Sequence, residues 1–123
     1  MKSNTIIALI FCTISLCHCS KSPQIRNFDA KAWAKDVKAC SGKRLVPSDT
    51  LFAQRDKLLG LGDTEIIALL GKPDAQDLDE RNVKYLYYYY TPGIQCNSEN
   101  EKGQHYIRFR LNSVSLVSEI IKL

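Results

Sequence analysis

Past its first 27 residues the chain holds a single histidine, His105. Acyl transfer needs a hydroxyl, a base that titrates near neutrality and an orienting carboxylate. Ser113 or Ser118, with His105 and an aspartate, would supply those types. Neither serine sits in a Gly-x-Ser-x-Gly turn or a comparable setting. His105 instead opens a strand-like stretch beside Gly103 and Gln104, as an exposed strand residue would. Asp79 and Glu80 are adjacent carboxylates without supporting structure. With Asp74 and Asp77 they make residues 74–82 acidic, but Ala75, Gln76 and Leu78 interrupt the alternating oxygen ligands that calcium wants. That segment reads as a solvated loop. Leu59-Gly60-Leu61-Gly62 lacks the third glycine and the preceding strand of a phosphate-binding loop. The expectation is a chain that is not an enzyme, with no cofactor and no bound metal.

Cysteine carries the clearest chemistry. The chain has five: Cys12, Cys17, Cys19, Cys40 and Cys96. The first three fall in or beside an N-terminal stretch built like a secretory signal. Lys2 precedes the apolar run from Thr5 to Leu16, and polar Ser20-Lys21-Ser22-Pro23 follows it. The run is too short for a stable membrane-spanning helix. Leu16-Cys17-His18-Cys19 resembles a bacterial lipobox, with the leucine three residues before the modified cysteine. His18 stands where that motif has Gly, Ala or Ser. The resemblance implies cleavage after residue 18 and a lipid, palmitate included, on Cys19. Ser20 is then the ordinary outer-membrane choice, where an aspartate signals inner-membrane retention, so the anchor would face the periplasm. Simple secretion, or a soluble periplasmic protein, is the alternative. Processing leaves Cys40 and Cys96, enough for one disulfide in an oxidising compartment, with two free buried thiols as the other reading. Two cysteines and His105 in no recognisable spacing are not a zinc ligand set.

These residues need a scaffold. The chain has 123 residues, 45% hydrophobic and 24% charged, which is ordinary for one modest globular domain. Net charge is +4, from 17 basic against 13 acidic residues, and the charges are spread without a basic run. Nucleic acid is therefore not an expected partner. Residues 1–18 read as the signal peptide, 19–27 as a short tether and 28–123 as one domain. Residues 29–39 space Ala30, Trp33, Ala34 and Val37 as one helix face, with Asp29 as cap and Ser41-Gly42 as stop. A second helix opens at Val46-Pro47-Ser48-Asp49, carries Leu51, Phe52, Leu58 and Leu59, and ends at Gly60 and Gly62. A third spans 63–70, capped by Asp63 or Thr64 and burying Ile66, Ile67, Leu69 and Leu70, with Gly71 and Pro73 ending it. Strands follow at 83–91, 104–111 and 114–123, the last two joined by a tight turn at Asn112-Ser113. The order α-α-α-β-β-β gives an α+β fold, with two to three helices on one face of a three-stranded antiparallel sheet. In residues 106–111, Ile107, Phe109 and Leu111 take one face, and Tyr106, Arg108 and Arg110 the other.

Residues 62–73, Gly-Asp-Thr-Glu-Ile-Ile-Ala-Leu-Leu-Gly-Lys-Pro, followed by the tyrosines at 85–90 and by Phe109 and Val114 around a tight turn, resemble the SmpA/OmlA family of small outer-membrane lipoproteins. That family includes the small lipoprotein type of the β-barrel assembly machinery. The likeness covers residues 61–123. Tyrosine replaces the family's strand tryptophan, and Trp33, Cys40 and Cys96 have no counterpart. The resemblance implies a non-catalytic scaffold or interaction module in envelope assembly or maintenance, with an envelope protein as partner. An inhibitor-like periplasmic binding protein and, further off, a small hydrolase using His105 are the alternatives. Tyr106, Arg108 and Arg110, with the neighbouring tyrosines, are the residue types that protein interfaces favour, and they form the candidate contact face. A plainly solvated sheet face is the other reading of the same residues.

Overall fold

In the computed structural model, which describes residues 23–97 and 103–123, helix α1 (Ala30–Lys35) starts where Asp29 accepts a hydrogen bond from the Ala32 amide at 3.0 Å. The signal peptide and Cys19 lie outside the described residues. Ile25 and Arg26, in the stretch read as a tether, are tied to the domain. Ile25 joins the hydrophobic core, and Gln54 bonds both the Arg26 amide and the Arg26 carbonyl.

Helix α1 is shorter than its apolar spacing suggests. It ends at Lys35, and residues Val37–Ala39 form a single 3₁₀ turn in which Lys38 and Ala39 take left-handed φ values of 56° and 60°. The cause is Asp36. Its carboxylate turns inward, accepting from the Ser41 amide at 2.7 Å and the Lys43 amide at 2.8 Å. Asp36 is therefore buried, while Val37, expected on the core face, is 64% exposed, and Ala34 is exposed too. Trp33 remains the core anchor at 1% exposure.

Helix α2 (Leu45–Ala53) tolerates Pro47 because it falls in the first turn, where a missing amide costs nothing. Helix α3 (Asp63–Leu70) is capped at Gly62, not at Asp63 or Thr64. The Glu65 carboxylate reaches back to accept from the Gly62 amide at 2.8 Å. Gly71, at φ 82°, ends it. Ile66, Leu69 and Leu70 are buried, whereas Ile67, expected among them, is 38% exposed.

The sheet has four antiparallel strands rather than three, in the order β1-β2-β3-β4: β1 (Ala75–Leu78), β2 (Lys84–Tyr89), β3 (Tyr106–Leu111) and β4 (Val117–Lys122). Strand β1 occupies part of the stretch read as a solvated loop. It is short, polar and largely exposed, so it carries no alternation. Its register against β2, from Ala75 opposite Tyr87 to Leu78 opposite Lys84, makes it a strand. The β3–β4 connection is also longer than the expected two-residue turn. Asn112 accepts through its side chain from the Val114 and Leu116 amides, both at 3.1 Å, and Ser115 is left-handed at φ 61°. Val114 thus lies in the loop, and β4 begins at Val117.

The helices cover one sheet face. Leu51, Leu58, Ile66 and Leu70 meet Leu86, Tyr88, Ile107, Phe109, Leu111 and Ile120 there. The three β3 residues Ile107, Phe109 and Leu111 are each 0% exposed, matching the period-two reading. Cys40 and Cys96 are joined, with Cα atoms 5.6 Å apart, and tie the 3₁₀ turn that follows α1 to the β2–β3 connection. Among the described residues, no helix is long and apolar enough to cross a membrane.

Candidate functional site

Side chains alternate across a strand, so the residues between the buried ones must crop out on the opposite sheet face. The strand register assembles them into rows. Ala75, Tyr87, Arg108 and Ile121 form one row, and Asp77, Tyr85, Arg110 and Glu119 the next. Tyr89 sits opposite Tyr106 in a third. The expected contact residues Tyr106, Arg108 and Arg110 are thus brought together with Tyr85, Tyr87 and Tyr89, all but Tyr89 partly exposed.

The face is organised. The Tyr87 and Tyr106 rings meet edge to face with centroids 5.1 Å apart, and Tyr89 meets Tyr106 at 6.4 Å. The Arg108 guanidinium lies 5.1 Å from the centroid of the Tyr85 ring. One of its terminal nitrogens reaches Glu119 at 3.5 Å, while its buried Nε has no partner among the described residues. Arg110 donates to the Ser118 hydroxyl at 3.1 Å. The Tyr87 hydroxyl points to Asp77 at 3.4 Å. Burial, with the charge of Asp77 next, pushes the Tyr87 phenol above its ordinary pKa. Burial and then Asp74 raise that of Tyr89. These phenols stay neutral at physiological pH and act as donors and as flat apolar surface.

His105 is exposed, with its ring centroid 6.0 Å from that of Tyr90. Ser113 lies past the far end of β3, and the Ser118 hydroxyl donates to the Arg110 carbonyl at 3.2 Å. Five residues of extended chain, roughly 17 Å, separate His105 from Arg110. The structure does not bring His105 and either serine together. Of the acidic stretch, Asp79 makes a turn by accepting from the Arg81 and Val83 amides at 2.8 and 2.9 Å. Those two amides, that of Val83 foremost, hold its carboxyl below the usual value. Among the described residues no three His, Cys, Asp or Glu side chains gather to hold a metal ion.

One cluster gave no signal in the sequence. Arg44 donates through Nε to the Trp33 carbonyl at 2.9 Å and through Nη1 to Asp74 at 2.6 Å and to the Tyr89 carbonyl at 3.0 Å. Its guanidinium also lies 4.7 Å from the Trp33 ring centroid. Asp74 accepts in addition from the Lys38 amide at 3.0 Å and the Tyr89 amide at 2.9 Å. This buried pair floors a cleft of about 280 Å³ between α1 and the α3–β1 link, with Lys38 and Lys72 at its mouth.

No family model, curated protein or solved structure matches this chain.

Proposed function

We propose that the chain is a non-catalytic, periplasm-facing lipoprotein, anchored through Cys19 in the outer membrane, that works as an interaction module through its Tyr–Arg sheet face. One observation carries the reading. Tyr85, Tyr87, Tyr106, Arg108 and Arg110 share the sheet face opposite the helices, so ring surface and guanidinium donors stay available to a partner. Tyrosine and arginine are the residues that dominate binding energy in protein interfaces.

The lipobox-like Leu16 to Cys19 supports the anchor, and the likeness of residues 62–73 to the SmpA/OmlA family supports an envelope role. A short tether follows from both. Chain from Cys19 to the packed Ile25 spans at most about 20 Å, so the module stays close to the bilayer.

The test has two parts. Metabolic labelling with a palmitate analogue should mark the wild-type chain and not Cys19→Ser, and labelling that survives the substitution removes the anchor. A photo-crosslinking residue at Tyr106 should trap a discrete envelope protein in living cells, and one at exposed Val46 should not. Arg108→Ala with Arg110→Ala should weaken that association by about 2 kcal/mol or more where either is a hot spot. An unchanged crosslink in the double variant removes the contact face.

A further inference from the structure

The cleft beside α1 lies apart from the Tyr–Arg face and is chemically two-sided. Ala34, Val37 and Pro73 give it apolar walls, and Lys38 and Lys72 supply exposed ammonium groups at the mouth. The carboxylates nearby are engaged by the fold's own donors. Asp74 accepts from Arg44, from the Lys38 amide and from the Tyr89 amide. Asp36 accepts from the Ser41 and Lys43 amides. Among the described residues neither Lys38 nor Lys72 forms an ion pair. Among the described residues the charged side chains lining the cleft are therefore Lys38, Arg44 and Lys72 against Asp74 alone, a net positive set.

The wall carrying Lys38 is held in an unfavourable backbone state. Lys38 and Ala39 are both left-handed, at a cost of about 1 kcal/mol or more each. Asp74 grips the Lys38 amide, Gln95 donates to the Lys38 carbonyl at 3.1 Å, and the Cys40–Cys96 bridge follows immediately. The fold thus spends stability to keep Val37 turned outward, at 64% exposure, beside the lysine.

We infer that this cleft binds the aliphatic C-terminal residue of a partner polypeptide, its side chain against Val37 and Pro73 and its terminal carboxylate between Lys38 and Lys72. A ligand must offer an aliphatic group and an anion a few bonds apart. A C-terminal leucine, isoleucine or valine does so. An internal Asp or Glu carries its charge at the tip with no apolar group beyond it, and inorganic phosphate has no apolar part. A cleft of about 280 Å³ has room for one such residue.

Titration calorimetry on the full chain purified from membranes decides the matter, using an acetylated peptide ending in leucine, the same peptide as its C-terminal amide, and isovalerate. The free acid should bind, the amide should bind at least about tenfold more weakly, and raising salt should weaken the acid alone. Lys38→Gln with Lys72→Gln should cost a similar factor. Val37→Asp, at an exposed position, should melt like wild type and abolish binding. Equal binding of acid and amide overturns the inference, as does no binding up to about millimolar peptide. Isovalerate matching the peptide would assign the cleft to a free carboxylic acid and overturn the polypeptide source. A failure here leaves the Tyr–Arg face untouched, since the variants lie outside it.

Discussion

Arg44 and Asp74 pair with side chains 2% and 4% exposed, so neither charge has water to fall back on. Removing one partner of a buried pair strands the other, and such changes cost about 3–5 kcal/mol. Asp74→Asn should lose that much by urea unfolding. Adding Arg44→Met to it should recover part of the loss, because the stranded cation is gone, and a double-mutant cycle would read the coupling. Losses that simply add would mean that the pair does not act as one unit. Asp63 is a milder case. The Lys84 ammonium hydrogen-bonds it at 2.9 Å and holds its carboxyl below the usual 3.8. A lowered folded-state pKa means that the unfolded chain binds the proton more readily, so this contribution is present above the unfolded value and fades as pH falls through the folded one. Asp63→Asn should cost about 0.2–1 kcal/mol at neutral pH and nothing in strong acid, as seen in unfolding midpoints taken across the acid range.

Strand β3 sets the two faces of the sheet. Phe109, at 0% exposure, packs edge to face on Tyr88 with centroids 5.7 Å apart. Phe109→Ala should therefore lose about 3–5 kcal/mol by urea unfolding. Arg108→Ala with Arg110→Ala should change stability by no more than about 1 kcal/mol, since their polar contacts are part-exposed. A loss in the arginine pair as large as that of Phe109→Ala would mean the outer face is structural. Strand β1 is the opposite sort of element. Ala75 to Leu78 has no apolar face and persists through the ladder to β2 and through Asp74 at its start.

The Cys40–Cys96 bridge closes a sequence separation of 56 residues and joins the helical layer to the sheet's β2–β3 connection. The chain-entropy account gives a bridge of that span about 4 kcal/mol. A small domain has only about 5–15 kcal/mol in all. Cys40→Ser with Cys96→Ser, or full reduction, should therefore bring the folded state near its limit, read as a large fall in denaturation midpoint. Intact mass with and without reductant should differ by two hydrogens. A midpoint unmoved by reductant would show that the bridge carries no stability.

Residues 106–111 could be read directly, because Tyr-Ile-Arg-Phe-Arg-Leu admits one amphipathic register and a slip would bury both arginines. The stop of α3 was legible for a similar local reason, with Gly71 and Pro73 each forbidding continuation. The pairing of Cys40 with Cys96 was legible by counting. The inner face of α1 was not, because its apolar spacing points to Val37 while Asp36 finds amides at Ser41 and Lys43 only once the chain has turned. Nor was β1, whose four residues become a strand through the edge that β2 offers. Arg44 and Asp74 look like surface charges in the sequence, 30 positions apart. Local pattern determined what each segment does against water. Tertiary structure alone decided which charges leave water, because a buried charge is tolerated only where distant partners converge on it.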